Sequence, residues 1–182
     1  MTEDTVQQEE IDQLDQSLND NVSLIGDLGR RRNEIIQAQV LELRVPRWTD
    51  PVIIVKCRPV EHAQIRGLLM RVEKTKPKDR AEAEVEANAD LLIRGCIGIV
   101  AVLDDHEYSL RPGDPHGEPT LFDDDLARNL GLHDGLGRKP TARDVVRALF
   151  ITDADIISAA NSLAEFSGYK TQDADDEIAG EY

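Results

Sequence analysis

Cysteine and histidine side chains are the groups in this sequence from which nucleophilic chemistry could be built. Cys57 stands five residues before His62, and an imidazole held close to a thiol can activate it. Such a pair needs a third group that orients the imidazole, and no residue at a suitable spacing supplies one. The sequence also lacks a P-loop, a dinucleotide-binding glycine motif and a G-x-S-x-G elbow. We therefore expect no enzymatic activity, no catalytic residue and no cofactor; an enzyme built on Cys57 and His62 is the alternative.

Potential metal ligands occur in three places. His133–Asp134 is the dipeptide of metal-dependent phosphohydrolases, but it stands in a glycine-rich loop without further ligands at a useful spacing. The oxygens of residues 104–107 could bind a divalent cation, although a solvated turn between two apolar segments explains them equally well. The acids of residues 123–125 are typical of the first turn of a helix, where they meet exposed N–H groups. We expect no metal site.

The two cysteines and the absence of long apolar runs bear on the cellular compartment. Cys57 and Cys96 do not make a disulfide framework, and both stand among apolar neighbours, which is typical of small buried residues in a reduced setting. Residues 1–24 open acidic and lack the apolar core of a signal peptide. No apolar run approaches the ~18 residues of a membrane helix. The sequence predicts a cytoplasmic protein that does not bind a membrane.

The net charge of −15 is distributed unevenly along the chain. Residues 1–29 contain eight acids and no Lys or Arg, residues 30–80 carry +7, and residues 81–182 carry −14. Contacts with phosphates supply most of the affinity of proteins for nucleic acids, so this acidic balance argues against a nucleic-acid partner. The basic middle segment is interpreted as balancing the acidic ends.

Residues 1–40 carry a short seven-residue repeat. Ile11, Leu18 and Ile25 are spaced seven apart, and Leu14 occupies the companion position of the heptad. Two interpretations stay open: a helical, coiled-coil-like arm, or an acidic arm that becomes helical only when bound. In either case these four side chains are candidate contacts for a partner or for self-association.

The period of the apolar residues changes after residue 40. Apolar and polar residues alternate over residues 41–45, a turn follows, and the run VIIVKC follows the turn, so a β-hairpin is expected near residues 41–58. Further along, the pattern predicts a helix that starts at Pro59, a central helix over residues 81–97, a short strand within residues 100–110 and a short helix over residues 123–130.

The segment that ends at Gly168 has the pattern of two capped helices in tandem. Thr141 and Thr152 each precede an acid by three residues, so each hydroxyl can accept a hydrogen bond from the first turn of its helix. Leu149 and Leu163 lie on the apolar stripes of the two helices. We expect them in the core, or, if exposed, in a groove that binds a partner. Gly168 can end the second helix in the left-handed conformation.

The expected fold class is mainly α (α+β). It consists of a helical arm over residues 1–40, a small helical domain with one β-hairpin over residues 41–168, and an acidic tail over residues 169–182. The tail combines low hydrophobicity with high charge, so we expect it to be disordered.

Three segments of this domain resemble the tail assembly chaperones of long-tailed, siphovirus-like phages, in particular those that infect actinobacteria. The segments are ADLLIRGCIGIVAVLDD at residues 89–105, EPTLFDDDLARNLGL at residues 118–132, and the tandem helices of residues 140–168. The resemblance covers roughly residues 50–168 and rests on helix patterns rather than on chemical motifs.

The resemblance implies a function and its partners. Proteins of this family keep the long tape measure protein soluble and help tail-tube subunits polymerise around it, in the cytoplasm of the infected bacterium. They are usually absent from the mature virion, and in many phages a ribosomal frameshift yields a longer product. The N-terminal arm departs from the shorter members. A structural tail or head–tail protein of the virion and a non-enzymatic regulatory adaptor are therefore the alternative functions.

Overall fold

The computed structural model describes residues 27–36, 38–111, 113 and 116–169. The chain divides into two units, residues 1–39 and residues 40–182. In the first unit, residues 27–36 are helical and almost wholly exposed. The predicted heptad contacts Ile11, Leu14, Leu18 and Ile25 lie outside the described residues, and so does the acidic tail beyond Tyr169.

A four-stranded antiparallel sheet forms one layer of the second unit. Its strands are β1 (Leu41–Thr49), β2 (Val52–Cys57), β3 (Cys96–Leu103) and β4 (His106–Ser109), and they lie in the order β1-β2-β3-β4. The predicted hairpin is confirmed as β1–β2, and the α+β class is confirmed. The sheet is larger than the sequence indicated, because the segment predicted to hold one short strand forms most of a second hairpin.

A tight turn joins β3 to β4. Leu103 pairs with His106, so Asp104 and Asp105 are the two residues between the strands, and both have positive φ angles of 49° and 61°. This conformation suits a two-residue hairpin, because its twist matches that of the strands. Residues 104–107 therefore contain a solvated turn, which was the alternative to a cation site.

Strand β1 contains a large, irregular bulge. Arg44 pairs with Ile54 but Thr49 pairs with Val52, so residues 45–48 lie opposite Ile53 alone. Within the bulge, the indole N–H of Trp48 donates to the carbonyl oxygen of Leu149 at 2.8 Å. The bulge thereby attaches the edge of the sheet to the helical layer.

Most helices of the second unit begin and end close to where the sequence placed them, but the predicted loop around His133–Asp134 contains a one-turn helix. The helices are α1 (His62–Glu73), α2 (Arg80–Gly95), α3 (Asp124–Asn129), α4 (Leu132–Gly135), α5 (Ala142–Phe150) and α6 (Asp153–Phe166), with a 3-10 turn at Pro77–Asp79. Pro59 does not start α1, which begins three residues later with Glu61 as its N-cap. Asp123 caps α3, and its side chain accepts from the N–H groups of Asp125 and Leu126.

Helix α2 lies at the centre of the helical layer and contacts α1, α5 and α6. The predicted end at Ile97 is wrong, because the backbone becomes extended at Cys96 and continues as β3. Helix α6 packs closely against α2 at this end. A Cβ atom at Gly95 would lie only 2.7 Å from the side chain of Leu163.

Both predicted helix caps are present. The Thr141 hydroxyl accepts from the N–H of Asp144, whose carboxylate accepts from the Thr141 N–H, which completes a capping box. The Thr152 hydroxyl likewise accepts from the N–H of Asp155 at the start of α6. Gly168 follows α6 with a φ angle of +83°, the left-handed conformation predicted for it. None of the described helices is long and apolar enough to cross a membrane.

Candidate functional site

The structure does not provide an activated thiol at Cys57. The side chain is completely buried in β2, and burial, followed by the nearby Cys96, raises the pKa of the Cys57 thiol to about 12. The thiol is therefore protonated at neutral pH, and its nucleophilic thiolate form is scarce unless the pH rises. The His62 ring lies beside the ring of Tyr169, with 4.8 Å between their centroids, and this contact gives His62 a packing role.

The candidate metal ligands have structural partners. His133 Nε2 lies 3.2 Å from a carboxylate oxygen of Asp124, and Arg128 pairs with Asp124 and with Asp125. Within the part of the chain that the structure describes, no group of three or more His, Cys, Asp or Glu side chains could hold a metal ion. The acids at the start of α3 stabilise that helix through its exposed N–H groups and through Arg128.

An ion-pair network connects three helices across the face of α2. Asp90 accepts two hydrogen bonds from Arg143 of α5, at 2.7 and 2.8 Å, and one from Arg71 of α1 at 3.0 Å. Burial raises the pKa of Asp90, but the hydrogen bonds from the two guanidinium groups outweigh it and hold that pKa below its ordinary value. One turn earlier, Glu86 pairs with Arg143 at 2.8 Å. Because these charges satisfy one another, the network stabilises the packing of the three helices.

Leu149 and Leu163 are placed in the core. Their exposed fractions are 1% and 0%, so the expectation that the stripes of α5 and α6 belong to the folded core is confirmed. A partner cannot reach either side chain while the domain is folded. Leu149 and Leu163 therefore do not form a contact surface of the folded domain.

The outer face of the sheet carries both apolar and charged side chains. Val100 is buried without belonging to the main core, which shows that it lies on the opposite face of β3. Lys56 of β2 and Glu107 of β4 form an ion pair with Nζ–Oε distances of 2.6 and 2.7 Å. Because these partners stand on either side of β3, their side chains must cross over that strand. This ion pair covers part of the face beside Val100.

The outward side of α6 is an open, shallow surface formed by residues of this helix alone, and we call it the α6 groove. It is lined by two rows of side chains that repeat every four residues: Ala154, Ser158 and Ser162, and Ile157, Asn161 and Glu165. Charged residues make up 31% of the chain, yet Glu165 is the one charged residue among these six.

The composition of the α6 groove suits contact with another helix. Small side chains at Ala154, Ser158 and Ser162 allow a second helix to approach closely, because the distance between packed helices depends on the side chains at the contact. Few charges have to be removed from water when the surface is covered, so the penalty for desolvation is low. Ile157 adds a partly buried apolar side chain.

Sequence reasoning identified the buried stripe of α6 but did not draw attention to the opposite side. The sequence feature that could have indicated this surface is the absence of Lys and Arg from the two four-residue repeats of α6. That signal gains meaning once Leu163 is known to face inward, because the same helix geometry turns Ser158 and Ser162 to the outside.

Comparisons with models of protein families, with curated proteins and with solved structures find no match to this chain. The resemblance to tail assembly chaperones accordingly stands on the sequence segments given above. In the structure, these segments form the end of α2 with β3, the α3 region, and the helices α5 and α6.

Proposed function

We propose that this protein is a phage tail assembly chaperone that binds the tape measure protein and assists polymerisation of the tail tube. The observation that carries the proposal is the α6 groove, a nearly uncharged helix face on a highly charged chain. The sequence resemblance supplies the family, and it includes α6. The proposal places the protein in the cytoplasm of the infected bacterium and outside the mature virion.

The physical basis is the match between the groove and a long helical client. Before the tail tube encloses it, such a client exposes apolar stripes that would otherwise aggregate. An amphipathic helix can lay its apolar side into a groove of small side chains. The net charge of −15 remains on the rest of the surface, and it keeps the complex soluble by repulsion between copies.

Co-expression with the tape measure protein of the same phage tests the proposal. We expect the soluble yield of the client to rise and the two proteins to co-purify. Replacing Ser158 and Ser162 by Arg fills the groove with bulk and charge, so the double variant should lose the client. Ser158→Ala should retain it, because this change keeps the groove small and uncharged. Ala81→Arg is the matched control, since it adds the same side chain to an exposed position of α2.

The salt dependence of binding identifies the type of contact. Binding through the α6 groove should persist when the salt concentration is raised, whereas binding through the basic residues 30–80 should weaken steeply as charges are screened. If the client stays insoluble and the protein is found at a stoichiometric copy number in washed virions, the chaperone function is refuted. The protein would then be a structural component of the virion.

A further inference from the structure

Two cysteines that are far apart in the sequence lie opposite each other in the sheet. Cys57 is the last residue of β2 and Cys96 is the first residue of β3, and they are paired across the antiparallel strands. Both thiols are free. The pairing depends on a register shift at the end of β2: Lys56 is opposite Gly98, whereas the next residue, Cys57, is opposite Cys96.

The backbone hydrogen bonds define the geometry of this pair. The N–H of Arg58 donates to the carbonyl oxygen of Gly95 at 2.8 Å, and these residues directly flank Cys57 and Cys96. In an antiparallel sheet, a hydrogen bond between the residues that flank a pair shows that the pair itself is of the non-hydrogen-bonded type. The Cα atoms of such a pair are about 4.5 Å apart. Disulfides span Cα separations of about 4.4–6.8 Å, so the backbone already permits a bond between the two sulfur atoms.

The two cysteines differ in exposure as whole residues. Cys57 is fully buried, whereas Cys96 is partly exposed at the junction of α2 and β3. A small oxidant therefore meets Cys96 first. Burial raises the pKa of the Cys96 thiol to about 12, even though a hydrogen bond from the backbone of Gly98 lowers it. Both thiols are thus protonated at neutral pH, and oxidation should accelerate as the pH rises.

We propose that Cys57 and Cys96 form a redox-active pair that a peroxide converts into a cross-strand disulfide. The Cys96 thiolate attacks one oxygen of hydrogen peroxide, the O–O bond breaks, and the released hydroxide takes up the thiol proton to give water. The resulting sulfenic acid is attacked at sulfur by the Cys57 thiolate. The S–S bond forms as the second hydroxide leaves with the proton of Cys57 as water. Two thiols lose two electrons, and the peroxide gains them.

The disulfide would stabilise the domain by tying the end of β2 to the point where α2 becomes β3. It closes a loop of about 40 residues that contains α1 and α2. Closing such a loop restricts the unfolded chain, and we expect the oxidised protein to unfold at a temperature higher by about 10 °C. This property goes beyond the proposed chaperone function and does not depend on it.

The experiment uses the full chain, treated with hydrogen peroxide under native conditions at pH 7 and pH 9 and then alkylated. Intact mass should show the loss of two hydrogen atoms and no alkylation, and a non-reducing digest should contain the Cys57 peptide linked to the Cys96 peptide. The reaction should be faster at pH 9, and dithiothreitol should reverse both the linkage and the rise in unfolding temperature.

Two variants separate the roles of the thiols. Cys57→Ser should leave a sulfenic acid at Cys96 that dimedone traps, whereas Cys96→Ser should leave the buried Cys57 unoxidised. The digest of the wild-type protein decides the question even if a variant fails to fold. Formation of sulfinic acid at Cys96 with a free Cys57, or a disulfide between two copies of the chain, overturns the proposal.

Discussion

The contact between Gly95 of α2 and Leu163 of α6 predicts a specific coupling between two substitutions. Leu163 is fully buried, and Leu163→Ala removes three buried carbon atoms and leaves a cavity. We expect the free energy of unfolding to fall by about 3 kcal/mol, within the 2–5 kcal/mol typical of such changes. Ser162→Ala, at the exposed neighbouring position, should change it by less than about 0.5 kcal/mol.

Gly95→Ala should be destabilising in the wild-type protein but much less so beside Leu163→Ala. The new methyl carbon would meet a terminal carbon of Leu163 at 2.7 Å, and overpacking of this kind costs about 1–3 kcal/mol. In the double variant that carbon is absent and the methyl group fills part of the cavity. The remaining contacts, 3.2 Å to the carbonyl of Arg58 and 3.3 Å to Val60, are tight but less severe.

The double-mutant cycle is measured by urea unfolding of all four proteins, with the slopes of the transitions compared. We expect the free energy of unfolding of the double variant to exceed, by about 1–2 kcal/mol, the value obtained by adding the effects of the two single substitutions. Additivity to within about 0.5 kcal/mol would refute the packing of α2 against α6 described above. A loss below about 1 kcal/mol for Leu163→Ala would show that this face of α6 is not buried.

Three further predictions follow from particular residues. Hydrogen bonds from Arg138 and Thr141 hold the pKa of Asp144 well below its ordinary value of 3.8. The ionised carboxylate therefore stabilises the folded domain above about pH 4, and this contribution is lost on acidification. The free energies of unfolding of the wild type and of Asp144→Asn, plotted against pH, should converge at low pH. Ile151 is exposed and has a φ angle of +69°, so Ile151→Gly should raise the free energy of unfolding by about 0.5–1 kcal/mol in urea, whereas a loss would mean that Ile151 makes important contacts. Removal of residues 1–40 should reduce the oligomer size in light scattering while the remaining domain still melts cooperatively; an unchanged size would contradict the heptad interpretation.

The features that the sequence predicted well are those set by neighbouring residues. The caps at Thr141 and Thr152 and the left-handed Gly168 depend on a few consecutive side chains, and all three are found. The helix-to-strand transition at Gly95 was misplaced because residues 89–103 are apolar on nearly every side. A continuous apolar run fits a buried helix and a buried strand equally well, so periodicity cannot locate the boundary.

The features that the sequence could not predict depend on contacts between distant segments. The pairing of Cys57 with Cys96 requires the strand order and the register shift after Lys56, and neither is visible in the spacing of the cysteines. The α6 groove depends on which side of the helix the rest of the domain covers. Once Leu163 was assigned to the core, the outward position of Ser158 and Ser162 followed from helix geometry alone.

The hydrogen bond from Trp48 to Leu149 makes the fluorescence of Trp48 a probe of how the sheet packs on the helices. Trp48 is the single tryptophan of the chain, and its indole is partly buried while it donates to the last turn of α5. When the β1 bulge separates from α5, water replaces the carbonyl, and the fluorescence emission should shift to longer wavelength. Emission therefore follows the docking of sheet on helices, whereas circular dichroism follows the helices themselves. Coincidence of the two transitions would mark the domain as one cooperative unit, and an earlier change in fluorescence would identify the edge of the sheet as the first part to open.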